Sequence, residues 1–509
     1  MSRRRRRSEE KKDMMTDEEL RLKTSERIPE SMEELEKRLE ERMGLNQSFD
    51  VILRKMEFGG LNTGLLYING FAKDDVLTEL LERLSYLNEQ QVKPDALKQF
   101  LEKYLLHIQV EVADNLPDTV DAALSGMSIL FIEGETSALM IDAKTFPVRS
   151  IEEPALEKVV RGSRDGFVET MLTNVTLVRR RLRDPRLKYE IVQVGRRTKT
   201  DVCIGYISDI VDLDLVESVR DKLKQVEVDG LPLADKQLQE AIIGPGFNPF
   251  PLVRFSERPD VVANHLLEGH IMLFVDTSPS AIILPTTFFH HVQHAEEYTQ
   301  LPIMGTYLRW VRFIGILASI FLLPIWFLFV MQPDLKPDAL DFLGPQDRDS
   351  KLPLLLQFIF AEIGIDLMRM AAVHTPQPLA TAMGLIAAIL IGDIAVQTGL
   401  FVNEVILYIA IAGVGMFATP SYELSLANRL VRLFLLIAVA LFKIPGLVIG
   451  TTFILVWLIT RRSYNSPYMW PFIPFDAKAF FTIVVRRPIR LMTHRLTLTK
   501  PVDSTRQPE

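Results

Sequence analysis

Phe313-Ile-Gly-Ile-Leu-Ala-Ser-Ile-Phe-Leu-Leu-Pro-Ile-Trp-Phe-Leu-Phe-Val-Met331 runs for nineteen residues without a charged side chain. At about 1.5 Å of rise per residue this stretch makes a helix of roughly 28 Å, the length needed to cross a hydrocarbon core. A helix satisfies its backbone polar groups internally, so it is the form such a run takes in lipid. Trp310 and Trp326 lie beside and within it, and Arg309 and Arg312 precede it. These features predict an integral membrane protein.

Downstream of this run, charges stay sparse. Val405 to Tyr422 and Ile444 to Thr460 are uncharged, Leu352 to Met370 carries Glu362, Asp366 and Arg369, and Leu379 to Phe401 carries Asp393. Leu430 to Thr460 is too long for one crossing and contains Lys443, Pro445 and Gly446, which predicts a bent or re-entrant pair; a single long helix is the alternative. Positive charge near the segment ends sets orientation. Arg309 and Arg312 precede the first run, the loop from Gln332 to Lys351 is acidic on balance, and the C-terminal segment holds Arg461, Arg462, Arg486, Arg487, Arg490 and Arg495. Both termini are therefore expected on the cytoplasmic side, with an even number of crossings.

Upstream, the chain is rich in charge, and it repeats itself. Ser128-Ile-Leu-Phe-Ile-Glu-Gly-Glu-Thr-Ser-Ala-Leu-Met-Ile141 resembles Ile271-Met-Leu-Phe-Val-Asp-Thr-Ser-Pro-Ser-Ala-Ile-Ile-Leu284. Each reads as two apolar strands around a polar turn, the signature of a hairpin. Each follows a short helix opening on Pro-Asp, at Pro117-Asp118 and Pro259-Asp260. The beginnings match too. Phe49 to Leu53 with Gly64 to Ile68, and Tyr189 to Val194 with Asp201 to Ile207, predict strand pairs; amphipathic helices follow at Asp75 to Leu87 and Asp214 to Val226. Asp165 to Asp184 reads as a linking helix, and the basic run Arg179, Arg180, Arg181, Arg183, Arg186 and Lys188 reads either as a solvated face or as a contact for anionic headgroups.

Several chemistries are weighed and set aside. The net charge of −7 argues against a nucleic-acid binder. The single cysteine, Cys203, sits in an apolar run and reads as a buried thiol, with no disulfide or Cys-based metal site. His290, His291 and His294 have a spacing that zinc uses, without the glutamate of a zinc protease; a polar juxtamembrane helix is the simpler reading. Arg161-Gly-Ser-Arg-Asp-Gly166 lacks the spacing and lysine of a phosphate loop and reads as a tight turn. Gly392-Asp393 lacks the second glycine of an intramembrane aspartyl protease. Met1-Ser2 and the run Arg3 to Arg7, with no apolar stretch after them, predict no secretory signal.

The strongest functional signal is the charge inside the apolar half. A charge at the bilayer centre costs at least ~2.5 kcal/mol on insertion scales, so Glu362, Asp366, Arg369 and Asp393 must meet partners or water. On a helix, Glu362, Asp366 and Arg369 share one face; Asp366 and Arg369 are expected to pair, leaving Glu362 over. Two readings follow, an ion path favouring cations or a structural salt bridge within the bundle.

Three motifs together resemble the A subunits of spore germination receptors, the GerA family. They are Val160-Arg-Gly-Ser-Arg-Asp-Gly-Phe-Val-Glu169, Leu354-Leu-Leu-Gln-Phe358 with Ala361-Glu362, and Thr419-Pro-Ser-Tyr-Glu-Leu-Ser-Leu-Ala-Asn428. The likeness covers about Phe49 to Tyr468. His374-Thr-Pro-Gln-Pro-Leu-Ala-Thr-Ala-Met-Gly384 and His290-His-Val-Gln-His-Ala-Glu-Glu297 point to one branch of it. The resemblance implies a two-subdomain cytoplasmic part, a helical membrane domain, residence in the inner spore membrane, and oligomers that act as an ion channel with a separate partner subunit. It carries over no catalytic residue, and the N-terminal arginine run departs from it.

The expected fold is α+β/α: duplicated α/β cytoplasmic subdomains followed by a polytopic α-helical membrane domain. The expected boundaries are 1–45 (charged, disordered), 46–148, 149–187 (helical linker), 188–298, 299–462 (membrane) and 463–509 (basic cytoplasmic tail). The expected function is a homo-oligomeric, non-enzymatic channel subunit of the germination machinery. Its expected partners are membrane lipid and other membrane subunits, with no cofactor, metal or nucleic acid. A secondary transporter and a non-conducting scaffold are the rivals.

Overall fold

A computed structural model describes residues 26–506 apart from 93–94, 106–108, 146–152, 155–156, 244–246, 345–349, 375–393 and 465, with the backbone alone for 372–374. The chain forms two compact units. One comprises Met1–Pro245, Phe255–Pro285 and Met492–Glu509, the other Gly246–Arg254 and Thr286–Leu491.

The first unit contains two five-stranded sheets of corresponding order. Strands β1 (Val51–Phe58), β2 (Leu61–Ile68), β3 (Val110–Ala113), β4 (Ser128–Ile132) and β5 (Ala138–Ile141) lie in the order β1-β2-β4-β5-β3. Strands β6 (Leu187–Val194), β7 (Thr200–Ile207), β8 (Arg254–Ser256), β9 (Ile271–Val275) and β10 (Ala281–Leu284) lie in the order β6-β7-β9-β10-β8. Both expected hairpins form: β4 pairs with β5 and β9 with β10, antiparallel. Gly59 and Gly60 join β1 to β2 with φ of +58° and +73°, the left-handed pair that a tight two-residue hairpin requires. Burial follows the strand period of two. Ile129 and Phe131 pack on one face of the first sheet, Leu130 and Ile132 on the other. Cys203 is fully buried in β7.

The helices cover these faces. The run expected to be disordered at the N-terminus contains α1 (Met32–Met43), whose Met32, Leu35, Leu39 and Met43 recur at helical spacing and join the core of the first sheet. Its many charges lie on the opposite face, which made the segment read as unstructured. Helix α2 (Asp74–Ser85) packs on the other face of that sheet through Leu77, Leu80 and Leu84. Helix α3 (Leu116–Leu124) has Pro117 in its first turn and Asn115 as cap. The linking helix α4 is Met171–Arg181, and the second subdomain adds α5 (Leu213–Lys224), α6 (Ala234–Ile243) and α7 (Pro259–Leu267).

The basic run on α4 is neither a solvated face nor a headgroup contact throughout. Arg179 is fully buried, donates to Asp50 from Nε (2.9 Å) and Nη2 (3.0 Å), and stacks on Tyr189. Ser48 Oγ donates to Asp50 (2.6 Å) and accepts from the Tyr189 amide (3.0 Å), so the ion pair ties the residues just before β1 to α4, and Ser48 ties them to β6. Arg181 pairs with Asp165 (2.5 Å), which closes the Arg161–Gly166 turn. The C-terminal residues join the same unit: the Val502 amide donates to Ile210 O (2.9 Å), Thr499 Oγ1 to Glu268 O (2.6 Å), and Arg495 Nε to Leu267 O (2.8 Å).

The second unit is helical: α8 (Pro302–Met331), α9 (Leu354–His374), α10 (Asn403–Phe417), α11 (Tyr422–Thr460) and α12 (Ala477–Val484). Two of these, α8 and α11, are long and apolar enough to cross a membrane; α10 is a shorter apolar helix, ending before Pro420 rather than at Tyr422. α11 is not continuous. Lys443 leaves helical conformation (φ 54°, ψ −129°), and the two arms fold back on each other. Gly446 lies against the Ala438 carbonyl, Gly450 against Leu435, and Phe434 against Phe453, which is an antiparallel register about Lys443. The bend expected from Lys443, Pro445 and Gly446 is therefore a hairpin of two helical arms. A second close approach joins α8 to α10, where Gly315 meets Gly415 backbone to backbone.

Candidate functional site

Glu362 lies in α9, one residue after the buried Ala361, and is itself 2% exposed. Apolar side chains pack the bundle around α9, including Phe358, Leu323, Trp326 and Leu436. An isolated carboxylate there is untenable, because removing a charge from water costs several kcal/mol unless a partner repays it. The partners come from the first arm of α11. That arm starts after Pro420, capped by Ser421 Oγ, which accepts the Leu424 amide (3.3 Å). Its Arg429 and Arg432, three residues apart, share one helical face and turn inward, both buried.

Arg429 Nε lies 3.1 Å from Glu362 Oε2, and Arg432 Nη2 lies 2.6 Å from Glu362 Oε1. Arg429 also pairs with Asp366 and donates to the Glu362 carbonyl. Arg432 Nη1 donates to Ser319 O of α8 (2.6 Å). Two carboxylates and two guanidiniums thus balance, and the cluster ties α8, α9 and α11 together. Glu362 is sealed inside. Asp366 keeps 43% of its side chain exposed.

The pair expected between Asp366 and Arg369 does not form. Asp366 is taken by Arg429. Arg369 lies over the rings of Phe417 (5.6 Å) and Tyr422 (5.5 Å), with Nη2 3.8 Å from Met416 Sδ. Glu362, expected to be left over, is the carboxylate with two arginine partners. Asp393 lies outside the described residues, as does most of the His374–Gly384 motif. Lys443, in the segment expected to bend, is exposed at the turn of the α11 hairpin.

A second buried network stands at the start of α8. Glu297, fully buried, pairs with Arg309 (2.6 Å) and Arg312. Arg309 Nη1 also donates to the carbonyls of Thr482 (2.9 Å) and Ile483 (2.7 Å), and so holds α12 against α8. The three histidines do not share a helix face. Phe288–His291 is a 3-10 turn; His290 Nδ1 accepts the Thr287 amide and His294 Nδ1 that of Glu296. His291 is buried, which pushes its pKa down to about 3 and keeps it neutral.

The arginines of the cluster were the residues that sequence reasoning missed. Their signal was available: two bases at i, i+3 in a largely apolar helix, matching two acids at i, i+4 in another.

Comparisons with known proteins bear on the whole chain. Stage V sporulation protein AF of Bacillus subtilis (strain 168) is 51% identical over 467 residues, covering 92% of this chain and 94% of its own. It is the branch to which the His290–Glu297 and His374–Gly384 segments pointed. Spore germination protein KA of the same organism is 28% identical and covers 87% of this chain and 82% of its own. Spore germination protein B1, also of that organism, is 28% identical, covering 91% and 96%. A crystal structure of the N-terminal domain of the A subunit of the Bacillus megaterium spore germinant receptor GerK3 aligns with a TM-score of 0.40 at 29% identity, covering 52% of this chain and 98% of that one. The family described as Bacillus/Clostridium GerA spore germination protein matches residues 37–498. The chain belongs to the GerA spore germination family, and its role lies in germination.

Proposed function

We propose that the chain is a multi-pass subunit of the inner spore membrane that assembles with copies of itself and with other membrane subunits to conduct ions, cations by preference, during germination. Both termini lie on the cytoplasmic side in this reading. The observation that supports it is Asp366. A carboxylate with 43% of its side chain open, on an apolar helix, is costly against lipid. Water or a neighbouring copy relieves that cost, and a water-filled path lined by carboxylates attracts cations. Glu362, Arg429 and Arg432 form the fixed wall behind it. The role proposed for Arg369 is to bound the same path, and Asp393 is kept as a further lining residue.

A scaffold that conducts nothing has one observation in its favour: the four charges of the cluster cancel within one chain. Flux through the purified protein in liposomes separates the two. Asp366→Asn should lose most of the flux while its gel-filtration profile stays that of the wild type. Undiminished flux from Asp366→Asn would remove Asp366 from the path, and no flux from the wild type, alone or purified together with its partner subunits, would favour the scaffold.

A further inference from the structure

We infer that residues 468–491 form a collar embedded in the headgroup layer of an anionic bilayer, at the level where α8 enters the membrane. The inference rests on the membrane reading of α8.

Depth follows from geometry. Trp310 Nε1 donates to Val484 O (2.9 Å), and Arg309 holds the Thr482 and Ile483 carbonyls. Arg486 donates to Tyr298 O (2.8 Å) and to Gln300 O just before α8. Helix α12 is therefore fixed beside the first turns of α8. From Trp310 to Met331 the helix rises about 31 Å, the thickness of one hydrocarbon core. Trp310, with its indole half exposed, then stands at the interface, where tryptophan settles. α12 stands with it.

Chemistry agrees with that depth. Phe472, Ile473, Phe475, Phe481, Ile489 and Leu491 are exposed, Phe475 at 68%. Ala479 and Ile483 face inward instead, so the outward apolar side chains are surplus to the core. Lys478, Arg487 and Arg490 stand among them, and Asp476, whose carboxylate caps α12 by accepting the Lys478 and Ala479 amides, is the one acid from Tyr468 to Leu491. Apolar bodies beside an excess of cations are what an interfacial element presents to anionic lipid. A second copy of this segment would bring like charges together, so lipid is the occupant favoured.

The test uses the full chain in vesicles of phosphatidylcholine and phosphatidylglycerol in equal parts. Because Cys203 is fully buried, single cysteines can carry spin labels. Phe475→Cys and Phe481→Cys report the collar, Leu317→Cys the middle of α8, and Leu233→Cys the aqueous reference. Labels at 475 and 481 should be relaxed more by oxygen than by a nickel chelate, at a depth shallower than 317. Nickel access equal to that at 233, with 317 still deep, overturns the collar and leaves the membrane reading intact. Exclusion of both reagents at 475 and 481 means a protein covers them and overturns lipid as the occupant. An aqueous signal at 317 overturns both readings. The charge half of the inference has its own readout, the enrichment of spin-labelled phosphatidylglycerol over phosphatidylcholine around the protein. Arg487→Gln and Arg490→Gln should each lower it about fivefold; unchanged enrichment in the double variant overturns recognition of anionic lipid.

Discussion

Replacing Glu362 by glutamine removes one negative charge from a cluster that is neutral. Two guanidiniums, with side chains 4% and 3% exposed, are then left with one carboxylate, Asp366, which among the described contacts pairs with Arg429 and not with Arg432. Arg432 keeps only the Ser319 carbonyl. Breaking a buried pair from one side costs about 3–5 kcal/mol, because the remaining charge stays desolvated. The double variant Glu362→Gln, Arg432→Met removes one charge of each sign and leaves Arg429 with Asp366. Its cost should therefore fall below the sum of the single changes by about 2 kcal/mol or more. Thermal unfolding of the detergent-purified chain and its three variants measures the cycle. A Glu362→Gln protein within about 1 kcal/mol of the wild type, with an additive double variant, would falsify the assignment of Glu362 to these arginines. The same cycle guards the flux assay, since lost flux in Glu362→Gln reports damage to the wall before it reports a path.

Three further outcomes follow from the buried contacts. Arg179→Met should cost about 3–5 kcal/mol by stranding Asp50, and Arg179→Lys should recover little, since a lysine cannot make the two-pronged contact; unfolding of the purified chain reads both. Gly415→Val should cost about 3 kcal/mol or prevent assembly, because a Cβ there falls on the Gly315 carbonyl; the yield of monodisperse protein from membranes is the check. Lys188 lies against Gly44 at the C-terminal end of α1, and burial, with Arg179 nearby, pushes its pKa down to about 8 from 10.5. Its folded-state value is the lower one, so between pH 8 and 10.5 the unfolded chain binds the extra proton and stability rises with pH. Lys188→Met should therefore be more stable than the wild type below pH 8, by about 3 kcal/mol at most, and the difference should shrink toward pH 10.5; a pH-independent difference would refute the placement.

What could be read in advance depended on how local its cause was. The hairpins at 128–141 and 271–284 declare themselves through apolar runs around polar turns, and both form. Lys443, Pro445 and Gly446 announce a break within three residues, and the helix turns back there. Charge partners obey no such rule. Helical spacing showed Asp366 and Arg369 as neighbours, and nothing local says that Arg429, from another helix, claims Asp366 first. Arg179 looked like part of a solvated basic run because its four-residue context is charged; its partner, Asp50, is 129 residues away. The disorder expected of 1–45 failed over Met32–Met43 for the opposite reason. A high overall charge concealed the four apolar positions of α1.

The balanced cluster also bears on how the helical unit is put together. In the membrane reading, α9 alone offers lipid two carboxylates and one guanidinium, and the first arm of α11 alone offers two guanidiniums. Each is expensive to insert by itself. Brought together, Glu362 and Asp366 meet Arg429 and Arg432 one for one, and Arg432 reaches α8 through Ser319 O. A single register satisfies all three contacts. A slip of α9 by one turn would carry Glu362 about 5.4 Å along the axis and break its ion pair with Arg432. The cluster therefore acts as a gauge of correct packing, whatever it adds to stability: helices lacking their partners are penalised, and only the complete three-helix arrangement brings the four charges of the cluster to balance, with Arg369 set apart over Phe417 and Tyr422. A buried ionic group can specify an arrangement in this way even where an apolar substitute would bind more tightly. Asp366, only partly covered by that arrangement, is the one carboxylate of the cluster left to interact beyond it.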